Sequence, residues 1–200
     1  VANQTLDIQI LSCGGMTDLM SEQEATFLNN CLPLFRNEVS FGRATPRART
    51  SMVRAYKPDH LLTAVGDHYD LLHLIAHADQ TSLQVGKNHV DASTLYGLAS
   101  QGKRFPKIVV STACKFDSAT WRKTLAELGV EILIAAKADV TPANLAAFDM
   151  AFYSALLCRV YKGKSDIERA ILAFEQADSY YRSIHAMGAT FAKFSCTPLL

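Results

Sequence analysis

The sequence predicts an α/β fold with a mainly parallel sheet covered by helices on both faces, and two observations carry that prediction. Three runs, "YDLLHLIAHA" (69–78), "KIVVST" (107–112) and "EILIAA" (131–136), are apolar without alternation, the pattern of strands buried on both faces. Amphipathic stretches of helical period separate them, and strands that alternate with helices pair in parallel through crossovers. At 200 residues and 49% hydrophobic content the chain can bury one sizeable core, so a single domain over 1–200 is expected.

The elements follow in order. "LDIQIL" (6–11) alternates like a strand. "SEQEATFLNNCLPLF" (21–35) reads as a helix, with a capping box from Ser21 to Glu24 and apolar residues at 27, 28, 31, 32 and 35. "VSFGRATPRARTSMVRAYK" (39–57) carries Gly, Pro and several arginines and reads as a long loop or irregular hairpin. Pro58 opens a short helix, "PDHLLTAVG", before the strand at 69–78. "SLQVGKNHV" reads as a small hairpin around a Gly-Lys turn. Asp91 caps a helix that stops at Gly102, and a helix over roughly 118–128 joins the two later strands. Thr141-Pro142 opens a long helix with Leu145, Phe148, Phe152 and Leu156 on one stripe. Ser165 and Glu168 box the start of another, with Ile167, Ile171 and Phe174 inside.

Composition narrows the function classes. A formal net charge of +1 gives no global attraction to nucleic acid or an anionic membrane surface. No apolar run reaches the roughly 18 residues of a spanning helix, and the N-terminus lacks a signal peptide's basic-then-apolar pattern. Five dispersed cysteines (13, 31, 114, 158, 196) without a CxxC pair indicate neither a disulfide framework nor a zinc knuckle, and fit a reducing, cytoplasmic setting. A chain that begins at Val1 reads as a fragment or processed product of something longer.

Sites in open parallel sheets form beyond the carboxyl ends of the strands. Two of the three core strands end there on residues with chemistry: "DLLHLIAHA" reaches His77, and "KIVVSTA" reaches Cys114. They stand 37 residues apart, the length of a crossover that makes parallel neighbours. Neighbouring strands lie about 4.8 Å apart, so side chains at their tips can meet as a Cys–His dyad. A free thiol, with a pKa near 8.5, is mostly protonated at pH 7 and needs such a base. Backbone N–H groups at Cys114 and near Ala78 would supply an oxyanion hole. A lone core cysteine is otherwise a packing residue, which is the competing reading.

Other candidates are weaker. His73 lies four residues before His77 on the same side of the strand, but two histidines with no carboxylate or cysteine at suitable spacing make no metal motif. His73 therefore reads as a satisfied core histidine. Cys13 in "LSCGGMTD" also follows a strand and is the rival nucleophile. A phosphatase loop would need arginine six residues after either cysteine, where Leu19 and Thr120 stand. "CGG" is not a dinucleotide fingerprint. His60, His68, His89 and His185 carry no pattern. Arg43, Arg47, Arg49, Arg54 and Lys57 form the one basic cluster, read as a solvated loop, with an activation loop or a contact to RNA or an acidic partner as functional alternatives.

In order and spacing, "DLLHLIAHADQ", "KIVVSTACKFD", "LGVEILIAAKADVTPANLAAFDMAFYSALL" and "SDIERAILAFEQA" resemble the CHAT group of caspase-like cysteine peptidases, over roughly residues 65–180. The resemblance implies a caspase-like three-layer sandwich, with His77 as general base or acid, Cys114 as nucleophile and no metal or organic cofactor. It further implies a protein substrate, a regulatory sensor domain or partner, and a place in bacterial defence or signalling, with nucleic acid involved only indirectly if at all. Thr112 and the Lys137/Asp139 region correspond to the substrate side-chain pocket, Asp139 favouring a basic residue and Lys137 an acidic one. Asp79 and Asp117 flank the dyad, Asp117 more simply as a helix cap.

The chain departs from the pattern at Ala78, where such proteins carry glycine, and at Lys115-Phe116-Asp117, where small residues are usual. A positive φ at Ala78 would cost about 1 kcal/mol. These departures define the alternative, an inactive caspase-like scaffold or binding module. A third reading uses the same dyad on a small-molecule ester or amide.

Overall fold

The computed structural model describes residues 5–14, 18–35, 47–64, 68–99, 102, 104–158, 161, 163–184 and 194–199. In chain order these form β1 (Leu6–Ser12), α1 (Leu19–Cys31), β2 (Ala48–Arg54), α2 (Pro58–Ala64), β3 (Leu71–Ile75), β4 (Ser82–Val85), β5 (Asn88–Asp91), α3 (Ala92–Ala99), β6 (Ile108–Ser111), α4 (Ala119–Glu127), β7 (Ile132–Ala136), α5 (Pro142–Cys158), α6 (Asp166–Ile184) and β8 (Phe194–Pro198). The described strands make a six-stranded sheet of order β2-β1-β3-β6-β7-β8, parallel except for β8, and a separate β4–β5 hairpin.

The pleat sorts each strand's side chains between two cores, because successive residues point to opposite faces. Leu71, Ile75, Ile108 and Val110 pack with Leu28 of α1, Phe148 and Phe152 of α5, and Ala170 and Ala173 of α6. Leu72, Leu74 and Val109 pack with Leu61 of α2, Leu95 of α3, Trp121 and Leu125 of α4, and Leu83 and Val90 of the hairpin. The result is the expected sandwich of helices, sheet and helices.

Local chemistry explains the helix ends. The Ser165–Glu168 capping box forms: the Ser165 N–H donates to the Glu168 carboxylate (2.9 Å), and the Glu168 N–H donates to Ser165 Oγ (3.3 Å). Three expectations need correction. The N-cap of α1 is Asp18, which accepts from Ser21 N (3.3 Å) and Ser21 Oγ (2.6 Å), so Ser21 is the donor in the first turn and not its cap. The N-cap of α4 is Ser118, which leaves Asp117 for another role. Residues 48–54, expected in a long loop or irregular hairpin, are an edge strand parallel to β1. Its arginines pair outward, Arg49 with Asp7 (2.6 Å) and Arg54 with Glu22, which is how an edge strand carries charge without losing its ladder. Residues 36–46, with Arg43, and His185 lie outside the described residues. Strand β8 had no counterpart in the sequence reading.

Candidate active site

The carboxyl ends of β1, β3, β6 and β7 open on one side of the sheet, and Cys13, His77, Cys114 and Lys137 follow them there. Strands β3 and β6 are direct parallel neighbours, as their spacing predicts, and their last paired residues are Leu74 and Ser111. His77 and Cys114 each lie three residues beyond that pair. The Thr112 N–H still donates to Leu74 O (3.2 Å), one residue past the ladder.

The chain around His77 is held from two sides. Gln84 N donates to His77 O (2.8 Å) and Asp79 N donates to Ser82 O (3.0 Å), so the hairpin fixes the backbone on either side of Ala78, which bridges antiparallel to Leu83. Ala78 is therefore extended, and the positive φ feared from its departure is absent. Among described non-glycine residues only Lys115 has one, at φ 55°. The exposed His77 imidazole places Nε2 3.0 Å from Asp18 Oδ2. Burial alone would raise the Asp18 carboxyl, but hydrogen bonds from Ser21 and the nearby His77 bring it below its ordinary value. Gly14 makes room for this carboxylate: a Cβ there would stand 2.7 Å from Asp18 Oδ2 and 2.8 Å from Ser21 Cβ.

Cys114 is half-buried and opens a turn that crosses toward β7. Lys115 N donates to Ala138 O (3.4 Å) and Asp117 N to Ala136 O (3.0 Å). Phe116 stacks on Trp121 with ring centroids 4.5 Å apart, while Trp121 Nε1 donates to Asp79 O (3.0 Å) and Ser118 Oγ to Gln80 O (2.7 Å). The start of α4 thus ties the segment after Cys114 to the segment after His77. Asp117 accepts Arg122 Nε (2.5 Å) and Nη2 (2.9 Å), and the buried Ser195 hydroxyl of β8. Against the cost of burial, these donors carry its carboxyl below the ordinary value.

Among the described residues, neither the Ala78 nor the Cys114 backbone N–H donates a hydrogen bond, and none joins His77 to Cys114. The other expected pocket residues are committed elsewhere. Thr112 is buried and donates to Glu24 Oε1 (2.7 Å). Asp79 accepts from Thr81 N and Ser82 N (both 2.7 Å), which hold its carboxyl at about 2. Asp139 pairs with Lys115 (3.0 Å), and Lys137 is exposed at the tip of β7. Cys13 loses its claim as rival nucleophile: it is fully buried, which pushes its thiol up to about 12.

Two features escaped the sequence reading. One is Asp18 as the partner of His77, which the N-cap type Asp at the strand–helix turn could have signalled. The other is a buried polar cluster under the site. His73 is fully buried, as expected of a core histidine, with Nδ1 2.8 Å from Tyr153 Oη and Nε2 3.2 Å from Glu24 Oε1. Asp149 of α5 joins them. Burial, and then the Glu24 charge, push its carboxyl well up.

No protein-family model matches the chain, and no curated protein does. Solved structures do. The complex of the RgpB pro- and mature domains of Porphyromonas gingivalis aligns with a TM-score of 0.52 at 12% identity, over 91% of this chain and 44% of that one. A Saccharomyces cerevisiae separase–securin complex aligns with a TM-score of 0.47 at 12% identity, over 78% of this chain and 10% of that one. The chain thus spans less than half the length of either. At such identity the likeness to RgpB shows the fold alone, and that fold is the caspase-like α/β sandwich.

Proposed function

We propose that the chain is a cysteine endopeptidase of the CHAT type, with Cys114 as nucleophile and His77 as its proton carrier. The observation that supports this reading is the β3–β6 register, in which His77 and Cys114 each follow the last paired residues of adjacent parallel strands, Leu74 and Ser111, by three positions. Asp18 on His77 Nε2 leaves Nδ1 as the nitrogen that takes the thiol proton, so Asp18 acts as a positioning residue. Sγ then bonds to the scissile carbonyl carbon, and the oxyanion accepts from the uncommitted N–H groups of Ala78 and Cys114. The C–N bond breaks as His77 returns the proton to the leaving amine, and water hydrolyses the thioester. No cofactor takes part. Lys137 favours an acidic substrate residue. Asp139, its charge already met by Lys115, contributes less to a basic one.

The CHAT resemblance supplies the regulatory half of the proposal: a cytoplasmic bacterial defence or signalling peptidase, released by a sensor domain or partner. The RgpB structure contains a pro-domain with its mature domain, and a covering polypeptide is the form of control this reading adopts. Incubating the chain with a denatured proteome and reading new N-termini by mass spectrometry tests it. Cleavage after a defined side chain, lost in Cys114→Ala and His77→Ala, is expected. Absence of cleavage together with a Cys114 that resists alkylation until denaturation would overturn it.

The scaffold reading is favoured by one observation: His77 is engaged with Asp18, and among the described residues no hydrogen bond joins it to Cys114. It predicts that Cys114→Ala leaves partner capture unchanged and that no substrate cleavage accompanies it.

A further inference from the structure

We propose that Glu24, His73 and Asp149 form a binding site for one divalent transition-metal ion of the zinc, cobalt or manganese class. Their candidate ligand atoms lie within 4.8 Å of one another. Neighbouring donors on a tetrahedral ion stand roughly 3.3 Å apart when metal–ligand bonds are about 2.0–2.1 Å. His73 Nε2 and Glu24 Oε1, at 3.2 Å, already have that separation, and an Asp149 oxygen lies within 4.8 Å of the other two ligand atoms.

An independent observation points to a ligand. Both Asp149 carboxyl oxygens are buried with no N–H or hydroxyl donor on them, the residue is 1% exposed, and the polar group beside it is the Glu24 carboxylate. Two carboxyl groups buried side by side cannot both ionise without a cation between them, and a divalent ion removes that repulsion. The cluster also has an entry path, a cavity of about 230 Å³ between α1 and α5 lined by Glu24, Phe27, Leu145 and Asp149.

The outer groups suit ligation. His73 presents Nε2 to the carboxylates while Nδ1 rests on Tyr153 Oη (2.8 Å), the arrangement that fixes a metal-binding imidazole's tautomer and plane. Thr112 Oγ1 orients Glu24 by donating to Oε1 (2.7 Å). Two carboxylates balance a 2+ ion, and one imidazole with two oxygens is a borderline donor set, which excludes a thiolate-seeking ion such as Cu(I). Water from the cavity completes the coordination. The ion would clamp α1 and α5 onto β3, beneath the strand tips that carry His77 and Cys114. The site does not depend on peptidase activity.

The test uses the whole chain, stripped with chelator and titrated with Co²⁺ and Zn²⁺. The expected result is one ion per chain, with Co²⁺ d–d bands and no thiolate charge-transfer band. Melting should rise by about 5–10 °C when the metal exceeds its Kd about a hundredfold. Asp149→Asn, nearly isosteric, should remain folded by circular dichroism and lose the ion. Tyr153→Phe should weaken binding about 10–100-fold. If Asp149→Asn fails to fold, Tyr153→Phe decides. No binding by the native chain, a thiolate band, or binding indifferent to these substitutions would overturn the site. A proton shared between Glu24 and Asp149 would then account for the cluster.

Discussion

Replacing Asp117 by Asn tests the joint between the Cys114 turn, α4 and β8. Asp117 is buried and accepts two charge-assisted bonds from Arg122 and a third from Ser195. Asparagine keeps one oxygen acceptor and turns an NH₂ group toward a guanidinium that can only donate. A hydrogen bond to a charged group contributes about 1.5–3 kcal/mol. Arg122, with 42% of its side chain exposed, recovers part of its solvation, so the expected loss is about 2–3 kcal/mol. At about 2–4 °C per kcal/mol for a chain of this size, melting should fall by roughly 4–12 °C at pH 7.

The sign of the pH dependence follows from the lowered Asp117 carboxyl. A group whose folded pKa is depressed stabilises the fold above its unfolded pKa, about 3.9, and loses that contribution as pH falls through the folded value. The gap between native and Asp117→Asn chains in urea unfolding should therefore be full at pH 5–7 and narrow below about pH 4. A variant within about 0.5 kcal/mol of the native chain at pH 7, or a gap that widens on acidification, would refute the reasoning.

Three further outcomes are expected. In Gly14→Ala the new Cβ meets Asp18 Oδ2 and Ser21 Cβ, so Asp18 swings off His77 at a cost of about 1 kcal/mol, and NMR of the imidazole should report the lost partner. Gly86→Ala is harsher, since φ is +62° and a Cβ would stand 2.2 Å from Tyr56 backbone oxygen, which cannot rotate away. Denaturant unfolding should show a loss of about 2–4 kcal/mol, and a loss under about 1 would count against the hairpin packing described. Site-resolved alkylation of the native chain at pH 7 should leave Cys13 and Cys196 slow, because burial pushes their thiols to about 12 and about 11, and should label half-buried Cys114 ahead of both.

Much of the fold was legible because its signals are local. Unbroken apolar runs marked β3, β6 and β7, the Gly86-Lys87 turn marked the hairpin, and Ser165–Glu168 marked the start of α6. The 37-residue spacing even gave the β3–β6 neighbourhood, since a crossover of that length returns to an adjacent strand. Edge strand β2 was missed because its arginines find Asp7 and Glu22, partners 42 and 32 residues away, and without those partners the segment looks like a basic loop. The expectation of Ser21 as the α1 cap failed for a geometric reason, since Asp18 is an equally good N-cap residue and only backbone direction chooses.

By itself the sequence determined which residues line a double-sided parallel sheet and that His77 and Cys114 stand at its carboxyl edge. Those properties follow from apolar period and chain length, which act over a few residues or a single crossover. Only tertiary structure decided that Asp18 meets His77, that Asp117 braces β8, and that the carboxylates His73 lacks along the chain arrive from Glu24 and Asp149. The physical reason is distance along the chain. Glu24 lies 49 residues before His73 and Asp149 lies 76 after it, and a helix packed over a sheet brings such groups within a few ångströms without leaving a spacing rule in the sequence.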